Sequence, residues 1–255
     1  MFVACSTLCF GRQTLSAALR TISELGFSKA DVAVREDGPH LRPSEVAADL
    51  GRAVQQLRGG HGLTIAALHL EFAHGLGRED TESQFKAVCR LARVLTTPLV
   101  SLPVAAAGSD VEAEIQRLTW LSRLARFEGV ALTAETRTGT LTADPATALD
   151  LCRRVPGLGI ALDPSHYLIN SSKDEKLDVL YPYVQHVRLR DTSGKTSQFQ
   201  VRIGQGEVEY GRIVNQLTRY NYHRLLSVDI HDLPDPGFEM PPEVRKLKYL
   251  LESLI

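Results

Sequence analysis

Eight times along this chain, a short run rich in β-branched and apolar residues gives way to a turn and then to an amphipathic helical stretch. The strand candidates are 2–8, 30–36, 63–72, 99–105, 130–137, 158–165, 184–191 and 225–232. Helix candidates lie at 14–25, 43–58, 80–96, 110–127, 144–154, 173–181 and 210–219, and one more closes the chain at 241–254. Pro43 in "RPSEV" suits a first helical turn, and Asp144 with Pro145 opens "DPATALDLC". Parallel strands need crossovers of this kind. Eight such units in 255 residues predict one (β/α)8 barrel domain over 1–255. A doubly wound open sheet is the structural alternative. No dinucleotide fingerprint follows the first strand, which lowers that option. The G-x-G of "GQGEVE" at 204–209 does not lead from a strand into a helix and reads as a turn.

Charge narrows the partners. The net charge is -1 and the pI about 6.7, so nothing in bulk points to nucleic acid or a membrane surface. The opening "MFVACSTLCF" has no basic region and no long apolar run, so neither a signal peptide nor a membrane span is expected. Cys5, Cys9, Cys89 and Cys152 are scattered, as free thiols in a reducing cytoplasm would be.

Alternate residues of a barrel strand face the helices or the lumen. In "VALTAETR", Val130, Leu132 and Ala134 form the outward set, leaving Thr133, Glu135 and Arg137 inside. The same parity turns Asp163 inward at the end of "LGIALDPS", and His186, Arg188 and Arg190 inward in "HVRLRD". It does the same for Asp229 and His231 in "SVDIHD", for His69 and Glu71 in "LHLEF", and for Arg35 in "DVAVRE". Each inward set begins with small residues and ends with charged ones. Unpaired charge is costly to bury, so these groups should share a polar cavity or pair with each other. In this barrel class the active site lies at that C-terminal face.

Glu135, Asp163 and Asp229 are three carboxylates at equivalent heights. With a histidine they could hold Mg2+ or Mn2+ through oxygen ligands. Such an ion could polarise a carbonyl while two carboxylates move a proton at the neighbouring carbon. Arg35, Arg137, Arg188, Arg190 and Arg202 surround them. Arginine binds carboxylate and phosphate bidentately, so they could hold an anionic carbohydrate. They could equally neutralise the acids.

"AETRTGTLTADP", "LDPSHY", "VQHVRLRDT", "IGQGEVEY" and "LSVDIH" resemble, in order and spacing, the xylose isomerase-like TIM barrel superfamily. That group includes sugar phosphate isomerases and epimerases, inosose dehydratases and endonuclease IV. The resemblance implies metal ligation by Glu135, Asp163 and Asp229, with Glu135 and Asp229 as the acid/base pair. It places a substrate contact or second-metal ligand at His166. The ligand histidine of the superfamily falls on Arg188, and His186 matches a histidine one pleat deeper. Arginine stays protonated and cannot ligate a metal. The Mg2+, Mn2+ or Zn2+ of the superfamily would then be lost, weakened or rebuilt with His69, His186 or His231. Arg188 could supply part of the missing charge or bind a substrate phosphate. Arg137 stands where the superfamily often has a second histidine.

The expected function is therefore a sugar or sugar phosphate isomerase or epimerase, with His69, Arg137, His166, Arg188 and Arg35 as substrate contacts. Metal-free binding of a sugar phosphate or sugar acid is the alternative, as is a dehydratase or lyase. Endonuclease IV chemistry fits less well, because the fourth strand, "LVSLPVAAAG", offers no histidine. Trp120 and Phe127 could pack on the barrel or on a second copy in a homo-oligomer.

Overall fold

The alternation closes on itself. A computed structural model describes residues 1–59, 62–169, 177–196, 199–234 and 237–255. Its parallel strands are β1 (Phe2–Ser6), β2 (Lys29–Arg35), β3 (Thr64–Glu71), β4 (Leu99–Pro103), β5 (Ala131–Glu135), β6 (Leu158–Leu162), β7 (Val184–Leu189) and β8 (Leu225–Val228). They form a closed barrel in chain order. The closing pair runs from Phe2 opposite Leu225 to Cys5 opposite Val228. The architecture is a (β/α)8 TIM barrel.

Strand parity decides what fills each layer. Leu158, Ile160 and Leu162 of β6, and Val187 and Leu189 of β7, are buried against the surrounding helices. Inside, Ala4, Ala67, Leu99 and Leu225 make a small apolar cluster of their own. Above it the lumen turns polar. Ser101, Thr133, His186 and Ser227 are all buried, and the charged groups come next.

The helices are α1 (Leu15–Glu24), α2 (Pro43–Ala48), α3 (Leu50–Arg58), α4 (Arg78–Val94), α5 (Val111–Phe127), α6 (Pro145–Arg154), α7 (Pro164–Ile169), α8 (Tyr210–Arg219) and α9 (Met240–Leu254). Two local results differ from the periodicity. The single helix expected over 43–58 is split at Asp49, whose φ of -148° leaves the helical region. Its side chain instead caps α3 by accepting from the Arg52 amide at 2.9 Å. The second is α7, which begins at Pro164, within the stretch 158–165 expected as strand. Asp163 starts it by accepting from the Ser165 amide at 3.0 Å and the Ser165 hydroxyl at 2.5 Å. Of the helix expected at 173–181, residues 173–176 lie outside the described residues, and Asp178–Tyr183 is a 3-10 helix.

All four cysteines are free and buried. Among the described residues no helix is long and apolar enough to cross a membrane. Trp120 packs under Arg78, 5.0 Å from the ring centroid, while Phe127 is 85% exposed.

Candidate functional site

The C-terminal mouth of the barrel is built in tiers. His186 of β7 lies lowest. Its Nε2 is 2.8 Å from the Ser227 hydroxyl, its Nδ1 3.3 Å from the Ser101 hydroxyl, and Asp31 lies 3.5 Å away. Two residues along β7, Arg188 is fully buried. Its Nε and Nη2 donate to Asp31 Oδ2 at 3.1 and 2.9 Å. Its Nη1 donates to His69 Nδ1 at 2.7 Å and to Glu135 Oε1 at 3.3 Å. That contact fixes the His69 proton on Nε2, which faces Glu135 Oε2 at 3.4 Å. Arg190, the next inward residue, donates its Nη2 to Asp163 Oδ2 at 2.6 Å and to Asp229 Oδ2 at 3.1 Å.

Each of the four acids also has an imidazole beside it. Asp163 faces His166 at 3.6 Å and Asp229 faces His231 at 3.3 Å, completing the set begun by Asp31 with His186 and Glu135 with His69. His166 Nδ1 accepts from the Thr138 amide at 3.2 Å, which leaves its proton on the Nε2 that looks at Asp163.

These contacts set the charges. Burial alone would raise the Glu135 carboxyl, but His69, Arg188 and Arg137 outweigh it and hold it well below the usual carboxylate range. Burial likewise opposes the charge of Asp229, and Arg188, His231 and Arg190 hold it low. Burial opposes the charge of Arg188 too, yet Asp229, Asp31 and Glu135 keep it protonated. Desolvation pushes His186 down to about 4 and lowers His166 and His231.

A pH dependence follows from the histidines. A buried histidine with a lowered pKa binds fewer protons folded than unfolded once the pH drops below about 6.5. Its contribution is full above that pH and shrinks as pH falls toward the folded value. For His186 the loss amounts to about 3 kcal/mol by pH 4, with His166 and His231 adding in the same direction. Urea unfolding at pH 7 and pH 5 should show a clear drop, smaller in His186→Asn. Equal stability at both values is incompatible with neutral buried imidazoles.

A cavity of about 470 Å³ opens above this network. Arg35, Arg137, Arg190, Glu135, His166 and His231 form its polar wall, together with His69. Phe199 closes one side, 4.8 Å from the His166 ring and over the Arg190 guanidinium at 5.1 Å. Arg35 and Arg137 are half-buried and both engage Glu71, Arg137 at 3.1 Å.

The residues named from sequence thus fall into two groups. Arg35, His69, Glu135, Arg137 and His166 line the cavity. Arg188, Asp163, Asp229 and His186 do not; they lie in the buried network beneath it. Arg188 was expected to touch substrate, but its hydrogen bonds go to Asp31, Glu135 and His69 inside the barrel. Asp31 was not singled out, although it is the main anchor of Arg188. The parity that turns Arg35 inward also turns Asp31 inward.

A divalent ion does not fit these donors. One oxygen of each acid already receives a guanidinium, Arg190 Nη2 at 2.6 and 3.1 Å and Arg188 Nη1 at 3.3 Å; Glu135 Oε2 and Asp229 Oδ1 take no hydrogen bond, but an ion drawn to them would meet these two buried positive charges. His186 has both ring nitrogens on serine hydroxyls. Among the described residues no group of three or more His, Cys, Asp or Glu is placed to hold a metal ion.

Residues 19–250 match the family model described as xylose isomerase-like TIM barrel. The chain belongs to that family. No curated protein matches its sequence. Among solved structures, this xylose isomerase-like barrel is similar to the probable 3-DHS dehydratase of petrobactin synthesis from Bacillus anthracis. The TM-score is 0.74 at 17% identity, over 97% of this chain and 99% of that one. A xylose isomerase-like TIM barrel protein from Mycobacterium smegmatis, solved in complex with magnesium, gives 0.77 at 18%, over 100% and 98%. The 3-keto-D-glucoside 4-epimerase from E. coli gives 0.71 at 13%, over 99% of each chain. At these identities the likeness establishes the fold. The neighbours include epimerases and a dehydratase, which fixes no single reaction for this barrel.

Proposed function

We propose that the mouth of the barrel binds a small anionic carbohydrate, a sugar acid or sugar phosphate. One observation carries this reading. The wall of the cavity bears three guanidinium groups, from Arg35, Arg137 and Arg190, against one carboxylate, Glu135. Its size falls within the roughly 300–1,000 Å³ usual for small-ligand sites. Arg190 adds a specific donor: its buried Nε–H has no hydrogen-bond partner among the described residues. Such a group is costly to leave unmade, and an oxygen of the ligand would satisfy it. The guanidinium of Arg190 lies over Phe199 and its Nη2 is held by two acids, so the donor is pre-positioned.

Thermal unfolding tests the reading. A sugar acid or sugar phosphate at about a hundredfold its Kd should raise the melting temperature by about 5–10 °C. A neutral sugar of equal size should have far less effect. Arg137→Gln should weaken the anion without unfolding the barrel, since Arg137 is partly exposed. Equal stabilisation by neutral and anionic sugars would sink the proposal.

A second reading, isomerase or epimerase turnover, is favoured by Glu135 at the cavity wall, which His231 and Arg190 also line. Glu135 would take the proton from the carbon beside the carbonyl and the Arg190 Nε–H would steady the developing oxyanion. A carboxyl held this low is a weak base, and Asp229, the expected second acid, does not line the cavity. Turnover in D2O should then place deuterium at that carbon, and Glu135→Gln should abolish it.

A further inference from the structure

We propose that Arg188 and Arg190 are a built-in cation: together they hold the charge and the position that a divalent metal would take among Glu135, Asp163 and Asp229. This cation lies at the floor of the mouth and is independent of the ligand that the mouth takes. Three observations support it. The first is place. Arg190 Nη2 bridges Asp163 and Asp229 at 2.6 and 3.1 Å, and Arg188 Nη1 bridges Glu135 and Asp229 at 3.3 and 3.7 Å. The two nitrogens therefore touch all three acids that the superfamily resemblance assigns to metal, and they share Asp229.

The second observation is charge. Two guanidinium groups carry the same charge as one divalent ion. The exchange is neutral for the barrel, and the three acids need not be discarded. The third is the added anchor. Asp31 is fully buried and takes both Nε and Nη2 of Arg188. A guanidinium so held cannot swing away to expose the acids to an ion. Arginine serves better than lysine here because its planar fork reaches Asp31 and Glu135 at once.

The four acids still outnumber the guanidinium groups by two, so the severe test is titration of the unaltered protein. Isothermal titration with Mn2+ or Zn2+ at millimolar concentration should give no binding in the micromolar range. EDTA should leave the melting temperature unchanged. Binding near one equivalent that Glu135→Gln abolishes would overturn the proposal. The converse experiment removes the built-in charge. Arg188→His with Arg190→Gln should create Mn2+ binding and a rise in melting temperature of about 5 °C at saturating metal. Glu135→Gln in that background should remove it. A folded double variant that binds no metal would also overturn the proposal. If the double variant does not fold, Asp31→Asn is added to remove the acid left unpaired. Should that also fail, the titration of the unaltered chain decides alone.

Discussion

Arg188→Met is expected to lower the stability of the barrel by about 3–5 kcal/mol, the cost of leaving a buried charge without its partner. Arg188 has no exposed surface, and neither has Asp31, which accepts two of its hydrogen bonds. Methionine fills much of the same volume and adapts its shape, so the loss measures charge more than cavity. For a chain of 255 residues the melting temperature should fall by about 10 °C. The partner can be named, which makes the effect separable. Adding Asp31→Asn should recover part of the loss, because an amide is far cheaper to bury than an unpaired carboxylate. A coupling above about 1 kcal/mol in that double-mutant cycle identifies Asp31 as the group Arg188 neutralises. Urea titrations of the four proteins measure it. Additive effects would mean that Glu135 and Asp229 bear the charge instead.

This pair also marks where sequence reading stops. Parity along β5, β7 and β8, carried past the strand ends, placed Glu135, Arg188, Arg190 and Asp229 in one lumen, because a strand gives its side chains only two faces. The same rule applied to β2 reaches Asp31, but an acid between Ala30 and Val32 near the start of a strand looks like a solvated end. What no local pattern contains is the distance across the barrel. Arg188 and Asp31 are 157 residues apart in the chain. Facing inward is a property of the strand; pairing with an acid or with a ligand depends on which side chain across the ring fills the space. Arg35 and Arg137 show the same limit, since both close on Glu71 while still lining the cavity. The split at Asp49 and the helix after Asp163 had a different cause. In each a short acidic side chain captures a nearby amide, and hydrophobic period is blind to that exchange.

The second large effect is expected at Asp191, where two sequence motifs turn out to be one structure. "RLRD" runs from the end of β7 into the loop, and "GQGEVE" begins thirteen residues after its Asp191. The Asp191 carboxylate gathers the turn around itself. Its Oδ2 accepts from the Gly204 and Gly206 amides at 2.7 and 3.1 Å. Its Oδ1 accepts from the Thr192 and Val208 amides at 3.0 and 3.4 Å. Gly204 has a φ of +80°, and a Cβ at Gly206 would collide with Asp191 Oδ1 and the Thr192 carbonyl. Gly204 is therefore demanded by its backbone angle, and Gly206 by the acid it wraps. Asp191→Ala should cost about 3–5 kcal/mol, since several amides lose a charged acceptor in a site that is 1% exposed. Asp191→Asn should recover less than its shape suggests, because its NH2 would face amide donors. The consequence reaches the ligand site. Asp191 also pairs with Val201 at the base of the segment that carries Phe199 against His166 and Arg190. Loosening that base should weaken anion binding in the mouth along with the fold, which thermal unfolding with and without a sugar phosphate would separate. A melting temperature within about 2 °C of the unaltered chain, less than about 1 kcal/mol, would mean that the turn closes without its acid.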